Sequence, residues 1–130
     1  MLQLIKANHK NEYIILDRFV SKDEATEILY LSDVLILPYK HASQSGVLAD
    51  ALNFQLPSIV SDHPGLTENI IDGKNGFIFR NEDDQMLADK LSTYLLNEDL
   101  RLQFRDELKK LKPQLSWENF ADTLLRYLKH

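Results

Sequence analysis

Residues able to do chemistry gather between Ser32 and Gly76. A small polar turn, Ser43-Gln44-Ser45-Gly46, opens an amphipathic stretch that carries Asp50 four residues after Gly46. Small residues at a helix start let an anion reach the first backbone amides, where the helix dipole favours negative charge. Ser is equally a favoured N-cap that satisfies such amides without a ligand, and spacing alone does not choose between the two. One helical turn sets Asp50 on the face above the turn. A carboxylate there accepts two hydrogen bonds from a ribose diol, or it is a solvated helix residue. Lys40 and His41, in the loop before the turn, are candidates to meet a phosphate or sugar, although exposed loop charges are usually solvated. Glu68, after Pro64-Gly65-Leu66, either orients a ligand or favours the dipole of the helix it begins. No residue stands out as a catalytic acid, base or nucleophile.

Other chemistries fall away on composition. The absence of cysteine removes disulfides, thiolate catalysis and sulfur-ligated zinc. His9, His41, His63 and His130 lack ligand spacing, so neither a metal nor any other cofactor is expected. The dinucleotide, P-loop and serine-hydrolase signatures are absent. A formal charge of -5 and a pI near 5.3 argue against a nucleic-acid partner, which needs clustered cations. No apolar run approaches the roughly 20 residues of a membrane span, and the segment from Met1 to Lys6 lacks the apolar stretch of a signal peptide. Cytosolic residence is the simplest expectation, with a peripheral hold on the inner membrane surface left open.

The positioning elements alternate. Tyr13 to Leu16 is a short β-rich run read as a buried strand. Ser21 and Glu24 fit a capping box ahead of a helix to about Leu31, with Ala25, Ile28 and Leu29 on its buried face. Val34 to Leu37, apolar at four successive positions, predicts a parallel strand covered on both faces and ended by Pro38. A helix from Gly46 to Phe54 should bury Val47, Leu48, Ala51 and Leu52 or Phe54. Ser58 to Val60 forms the next strand, Leu66 to Ile71 a short helix, and Gly73 and Gly76 turn the chain into the strand Phe77–Phe79. Asn81 to Asp84 supplies a cap and first-turn acids for a helix whose buried stripe is Met86, Leu87, Leu91, Tyr94 and Leu95. A second helix spans Asp99 to Leu111 and stops before Pro113. Ser116 caps a third, with Trp117, Phe120, Leu124 and Tyr127 or Leu128 inward; Trp117 reads as core, not as a sugar-stacking platform. The alternation predicts a parallel α/β sheet with right-handed crossovers. The 130 residues suit one domain, yet only three or four strands are visible where a doubly wound sheet has about five or six.

Four segments in combination, Ser32 to Pro38, Ala42 to Asp50, Gln55-Leu56-Pro57-Ser58 and Pro64 to Gly76, followed by Ser116-Trp117, carry a resemblance. Together they resemble the C-terminal, nucleotide-sugar-binding domain of retaining GT-B glycosyltransferases of the glycogen-synthase and mannosyltransferase group (glycosyl transferases group 1). Ala42 stands where that family often has a Glu, Asp50 is one methylene shorter than its usual Glu, and Gln55 replaces a usual Gly. No residue here matches the family's diphosphate-neutralising Lys and Arg.

The resemblance implies a single partial Rossmann-like domain over residues 1–130, the N-terminally truncated C-terminal half of a GT-B fold. Its α/β part would cover residues 1–80 and its C-terminal helices residues 82–130. It implies a retaining, hexosyltransferase-type enzyme whose substrate is a nucleotide-sugar and whose acceptor sits on a separate N-terminal domain, so the isolated chain is expected to be inactive. Carried over by position, Ser43, Gln44, Ser45, Gly46 and Val47 would meet the donor phosphate or sugar, Asp50 the ribose, and Arg18, Phe19 and Val20 the base. Self-association is a further expectation, because an incomplete sheet leaves edges that seek cover. The competing readings are a non-catalytic Rossmann-like binding or assembly module and, with less support, a phosphate-signalling receiver domain.

Overall fold

A computed structural model describes residues 14–41 and 45–115, together with Leu125 and Leu128. The elements in chain order are α1 (Lys22–Leu31), β1 (Leu35–Leu37), α2 (Gly46–Asn53), β2 (Ser58–Ser61), α3 (Pro64–Thr67), β3 (Phe77–Phe79), α4 (Asp84–Leu96) and α5 (Glu98–Leu115). Expectations placed on Tyr13, Ala42, Ser43, Gln44, Ser116, Trp117, Phe120, Leu124 and Tyr127 lie outside the described residues.

The three strands are parallel in the order β1-β2-β3, as helical crossovers of one hand require. Ile59 is level with Ile36 and Phe77, and Val60 with Leu37 and Ile78. Alternation then sends side chains to two faces. Leu37 and Val60 join Leu48, Leu52, Leu66, Ile70 and Leu108 in one core. Ile59, Phe77 and Phe79 join Tyr94 and Phe104 in the other, flanked by Met86, Leu87, Leu91 and Leu100. Helix α5 serves both cores, with Phe104 in one and Leu108 in the other. The Phe104 ring meets Phe77 edge-on at 5.1 Å between centroids and stacks with Tyr94 at 6.0 Å.

The approach to β3 is fixed by the segment Asp72-Gly73-Lys74-Asn75-Gly76. Gly73 takes a φ of +81°, which an L side chain rarely adopts. Asp72 Oδ1 accepts from the Ile78 amide at 2.9 Å, and Lys90 Nζ donates to the same carboxylate at 2.7 and 2.8 Å. The Lys90 ammonium also donates to the Ile78 carbonyl at 2.7 Å and stands 5.2 Å from the Phe77 ring centroid. One cation thereby joins α4 to the Ile78 carbonyl directly and to the Ile78 amide through the Asp72 carboxylate.

Several expectations change. Ile14 to Leu16 form no strand, and Ile14 is 91% exposed. No described strand pairs with them, and an apolar run without a ladder partner leaves its amides to solvent. Only half of the capping box forms. Ser21 Oγ accepts from the Glu24 amide at 3.2 Å, but the Glu24 carboxylate turns to Arg18, at 3.1 and 2.8 Å. In α2 the buried face is Leu48, Ala51 and Leu52, spaced as one helical stripe; Val47 and Phe54 lie off it and are exposed. In α1 Ile28 is exposed, and Leu29 is the buried residue. Helix α3 starts early because Pro64 suits a first helical position, and it ends before Ile71 because the Asn75 side chain captures the Ile71 amide. Leu95, beyond the sheet, is exposed, as is Leu128. Helix α5 continues through Pro113 to Leu115; proline removes one amide donor, a small loss in a last turn.

Tyr94 ties α4 to the start of β1, donating its hydroxyl to the Asp33 carbonyl at 2.6 Å. Burial pushes its phenol above the usual value, against the smaller opposing pull of Arg105 and Arg101. The folded state thus holds this proton more tightly than the unfolded chain. The associated stability is complete below an ordinary phenol value of about 10 and is lost as pH rises through the folded value. Tyr94→Phe is expected to cost about 1–2 kcal/mol at neutral pH, since the Asp33 carbonyl loses its donor. Urea unfolding at a series of alkaline pH values checks the second half: above pH of about 10 the parent midpoint should fall more steeply than that of the variant.

Candidate functional site

All three strands point their carboxyl ends to one pole, where open α/β sheets bind ligands. The loop leaving β1 is held there by side chains from the ends of the other two strands. Ser61, wholly buried, has its Oγ 2.7 Å from the Tyr39 carbonyl and 3.3 Å from that of Leu37. His63 Nε2 lies 2.7 Å from the same Tyr39 carbonyl, a contact in which the nitrogen must carry the proton. Asn81 Nδ2 donates to the Lys40 carbonyl at 3.1 Å. Three donors therefore fix the path of residues 37–40 just before the polar turn.

At the far side of that turn Ser45 is the N-cap of α2. Its Oγ accepts from the Leu48 amide at 3.2 Å, and its carbonyl accepts from the Ala49 amide at 3.2 Å. No described residue accepts from the Gly46 or Val47 amides, and both residues are exposed. A Cβ at Gly46 would meet no described atom within 4 Å. The cap satisfies one of the first-turn donors, the Leu48 amide.

A groove of about 260 Å³ runs between α2 and α3, lined among others by Ser45, Gly46, Ala49, Gly65, Glu68 and Asn69. It brings together Ser45, Gly46 and Glu68 from the sequence candidates. Asp50 is half-buried on another side of α2, one residue on from the groove-lining Ala49, and does not line the groove. Lys40 and Glu82 approach to 3.8 Å beside a second hollow of about 180 Å³ lined by Pro38, Lys40, Phe79, Glu82 and Asp84. Both partners are mostly exposed, so the pair contributes little to stability. Arg18, Phe19 and Val20 lie just ahead of α1. The bidentate contact with Glu24 raises the Arg18 pKa and holds the Glu24 carboxyl below its ordinary value, while Phe19 is 89% exposed. Ser43 and Gln44 lie outside the described residues. Among the described residues no three metal-ligating side chains converge, and no helix is long and apolar enough to cross a membrane.

Sequence reasoning misses Ser61, His63 and Asn81. The cap expected within Asn81 to Asp84 is Asp83, which accepts from the Met86 amide at 3.0 Å, and Asn81 serves the loop after β1 instead. Only the position of each residue at a strand's carboxyl end, shared with the turn, could signal the clamp.

A three-stranded parallel sheet between helices is the Rossmann-like architecture of a GT-B C-terminal domain. The family model described as "Glycosyl transferases group 1" matches residues 1–111, and the chain belongs to that family. It is 27% identical over 103 residues to a D-inositol 3-phosphate glycosyltransferase of Corynebacterium urealyticum, covering 79% of this chain and 24% of that protein. An uncharacterized glycosyltransferase of Methanocaldococcus jannaschii is 26% identical over 98 residues, covering 75% and 28%. The chain thus spans about a quarter of the length of these relatives. In structure it is similar to the C-terminal domain of the group 1 glycosyl transferase LpcC of Francisella tularensis, at a TM-score of 0.75 and 19% identity over 87% of this chain and 58% of that one. It is also similar to a TarM mutant of S. aureus solved with Fondaparinux, alpha-GlcNAc-glycerol and UDP, at a TM-score of 0.77 and 18% identity over 96% of this chain and 25% of that one.

The cap makes a direct test of local energetics. Ser45→Ala is expected to lower stability by about 1 kcal/mol in urea unfolding, whereas Ser45→Asp, an equally good N-cap, should hold it near the parent value.

Proposed function

We propose that this domain holds a nucleotide-sugar donor and supplies the donor side of a retaining glycosyl transfer. The observation that carries the reading is the N-terminus of α2 at the carboxyl end of β1, where no described residue accepts from the Gly46 or Val47 amides. Amides so placed suit the diphosphate of a donor, which a chain of formal charge -5 otherwise repels. Ser43, Gln44 and Ser45 complete the turn around phosphate or sugar. Lys40 adds a cation whose exposed partner Glu82 gives it up cheaply.

Asp50 takes the ribose diol and the segment Arg18 to Val20 the base, through its backbone. Glu68, at the groove between α2 and α3, is the candidate for the sugar end. In the transfer the bond from the sugar's anomeric carbon to the diphosphate breaks, and an acceptor oxygen forms the new bond while losing its proton. Negative charge then builds on the departing diphosphate, where a helix N-terminus stabilises it more than in the ground state. The acceptor is held by a separate domain, so these residues alone bind the donor without completing transfer. That division fits relatives about three times as long as this chain.

Calorimetric titration of UDP-, GDP- and ADP-sugars into the full chain tests the reading. One nucleotide class should bind. Asp50→Ala should weaken it about tenfold, from the loss of hydrogen bonds worth about 0.5–1.5 kcal/mol each. Ser45→Asp should weaken it further while remaining folded, because its carboxylate occupies the anion's place. Absence of binding by all three, with and without an acceptor-holding half added, would overturn the proposal.

A further inference from the structure

We propose that Asn75-Gly76 is a self-modifying site, an asparagine deamidation gated by folding that converts an opened molecule into one that closes less stably. The packing imposes both residues. Asn75 is buried, with its Oδ1 accepting from the Ile71 amide at 2.8 Å and its Nδ2 donating to the Asn69 carbonyl at 3.0 Å. One end must accept and the other donate, which assigns the orientation of the amide and leaves no carboxylate equivalent. At position 76 a Cβ would stand 2.7 Å from the Ser58 carbonyl oxygen and 3.2 Å from Ile70 Cγ2, so only glycine fits beside the central strand. The fold therefore requires asparagine followed by glycine, the pair in which the next residue hinders attack on the side-chain carbonyl least.

The chemistry needs only the chain and water. The Gly76 backbone nitrogen, losing its proton, attacks Asn75 Cγ; the new C–N bond closes a five-membered imide, and the bond from Cγ to Nδ2 breaks to release ammonia. Water then opens either imide carbonyl. The products are an ordinary aspartyl residue in place of Asn75, or an isoaspartyl linkage that carries the main chain through the side-chain carbon. No electrons change hands.

In the folded chain the carboxamide is anchored on residues 69 and 71, upstream of its own backbone, and is shielded from water. Both anchors must break before Cγ can swing to the Gly76 nitrogen. The folded-state rate is therefore the rate in open chain multiplied by the fraction of molecules open at this segment. Either product weakens reclosure. An aspartate carboxylate in place of the Asn75 amide sets a buried negative oxygen against the Asn69 carbonyl, and the isoaspartyl linkage lengthens the chain where Gly76 bridges Asp72 at the approach to β3.

Incubation of the full chain at mildly alkaline pH, with and without denaturing guanidinium, followed by peptide mass mapping and an isoaspartyl assay, measures the conversion. The folded chain should convert at Asn75 at least about tenfold more slowly than the unfolded chain, as local opening governs exposure. Tyr94→Phe, which loosens the fold without removing either anchor of the Asn75 amide, should speed conversion in the folded state only. Asn75→Asp should unfold at lower denaturant than the parent or fail to fold, and the modified parent, isolated by charge, should do the same. Equal rates in folded and unfolded chain would overturn the gating. Modified chain or Asn75→Asp unfolding at the parent's midpoint would overturn the trap.

Discussion

The complete burial of β2 is the constraint on which the rest of this structure depends. Ser58, Ile59, Val60 and Ser61 are all at or below 1% exposed, so every polar group of the strand must find its partner inside the protein. Its two ladders, to β1 and to β3, take the backbone. The serine hydroxyls at its ends are left to be satisfied locally. Ser58 Oγ reaches the Leu56 carbonyl at 3.4 Å, and Ser61 Oγ reaches Tyr39. That second bond carries the consequence for the site. A buried hydroxyl seeking an acceptor draws in the loop after β1, and the loop delivers the turn that opens α2.

The same constraint acts at the opposite pole. Close packing of β2 against β3 leaves no room for a Cβ at Gly76, and Asn75 closes the end of α3 with both functions of its amide. Lys90 and Asp72 then lock the first residues of β3. Surface ion pairs usually contribute little. This one differs because the Lys90 side chain is only 17% exposed and also satisfies the Ile78 carbonyl. Its worth lies in filling several polar vacancies with one group.

Much of this architecture is legible in the sequence wherever a residue's fate depends on its near neighbours. Four successive apolar residues before Pro38 mark a strand, although of these only Leu37 is fully buried because β1 stands at the end of the described sheet, and Gly73 with Gly76 marks the turn into β3. The parallel order follows from alternation. What escapes depends on partners distant in sequence. Ile14 to Leu16 read as a strand, but their fate rests on a ladder neighbour that local pattern does not report. Val47 and Phe54 are apolar yet exposed, because membership of the buried stripe depends on helix rotation relative to the sheet. Ser61, His63 and Asn81 look like ordinary loop or cap residues until the ends of three strands meet. Within the candidate site, Ser45 as a cap is readable from its type. That Asp50 and the groove occupy different sides of α2 is not, since spacing gives an angle about the helix but not where the hollow lies.

That angular separation has a physical consequence for any ligand of this pole. A molecule touching the first-turn amides, the groove toward Glu68 and the carboxylate of Asp50 must pass around the end of α2 rather than lie along one side. Compact ligands cannot do so. A chain of linked groups with an anion in the middle can, since the anion sits at the helix terminus while its two ends diverge to either flank. The stability devices lie at the other end of strands only three or four residues long, roughly 10–13 Å away at about 3.3 Å per residue. Changes at Lys90 therefore act on the site through the sheet, whereas Asn75 also reaches it directly, because its side chain holds the carbonyl of the groove-lining Asn69. Ser61 is the exception. Its side chain belongs both to the buried strand and to the loop that presents the turn, which makes it the residue through which stability and binding are coupled.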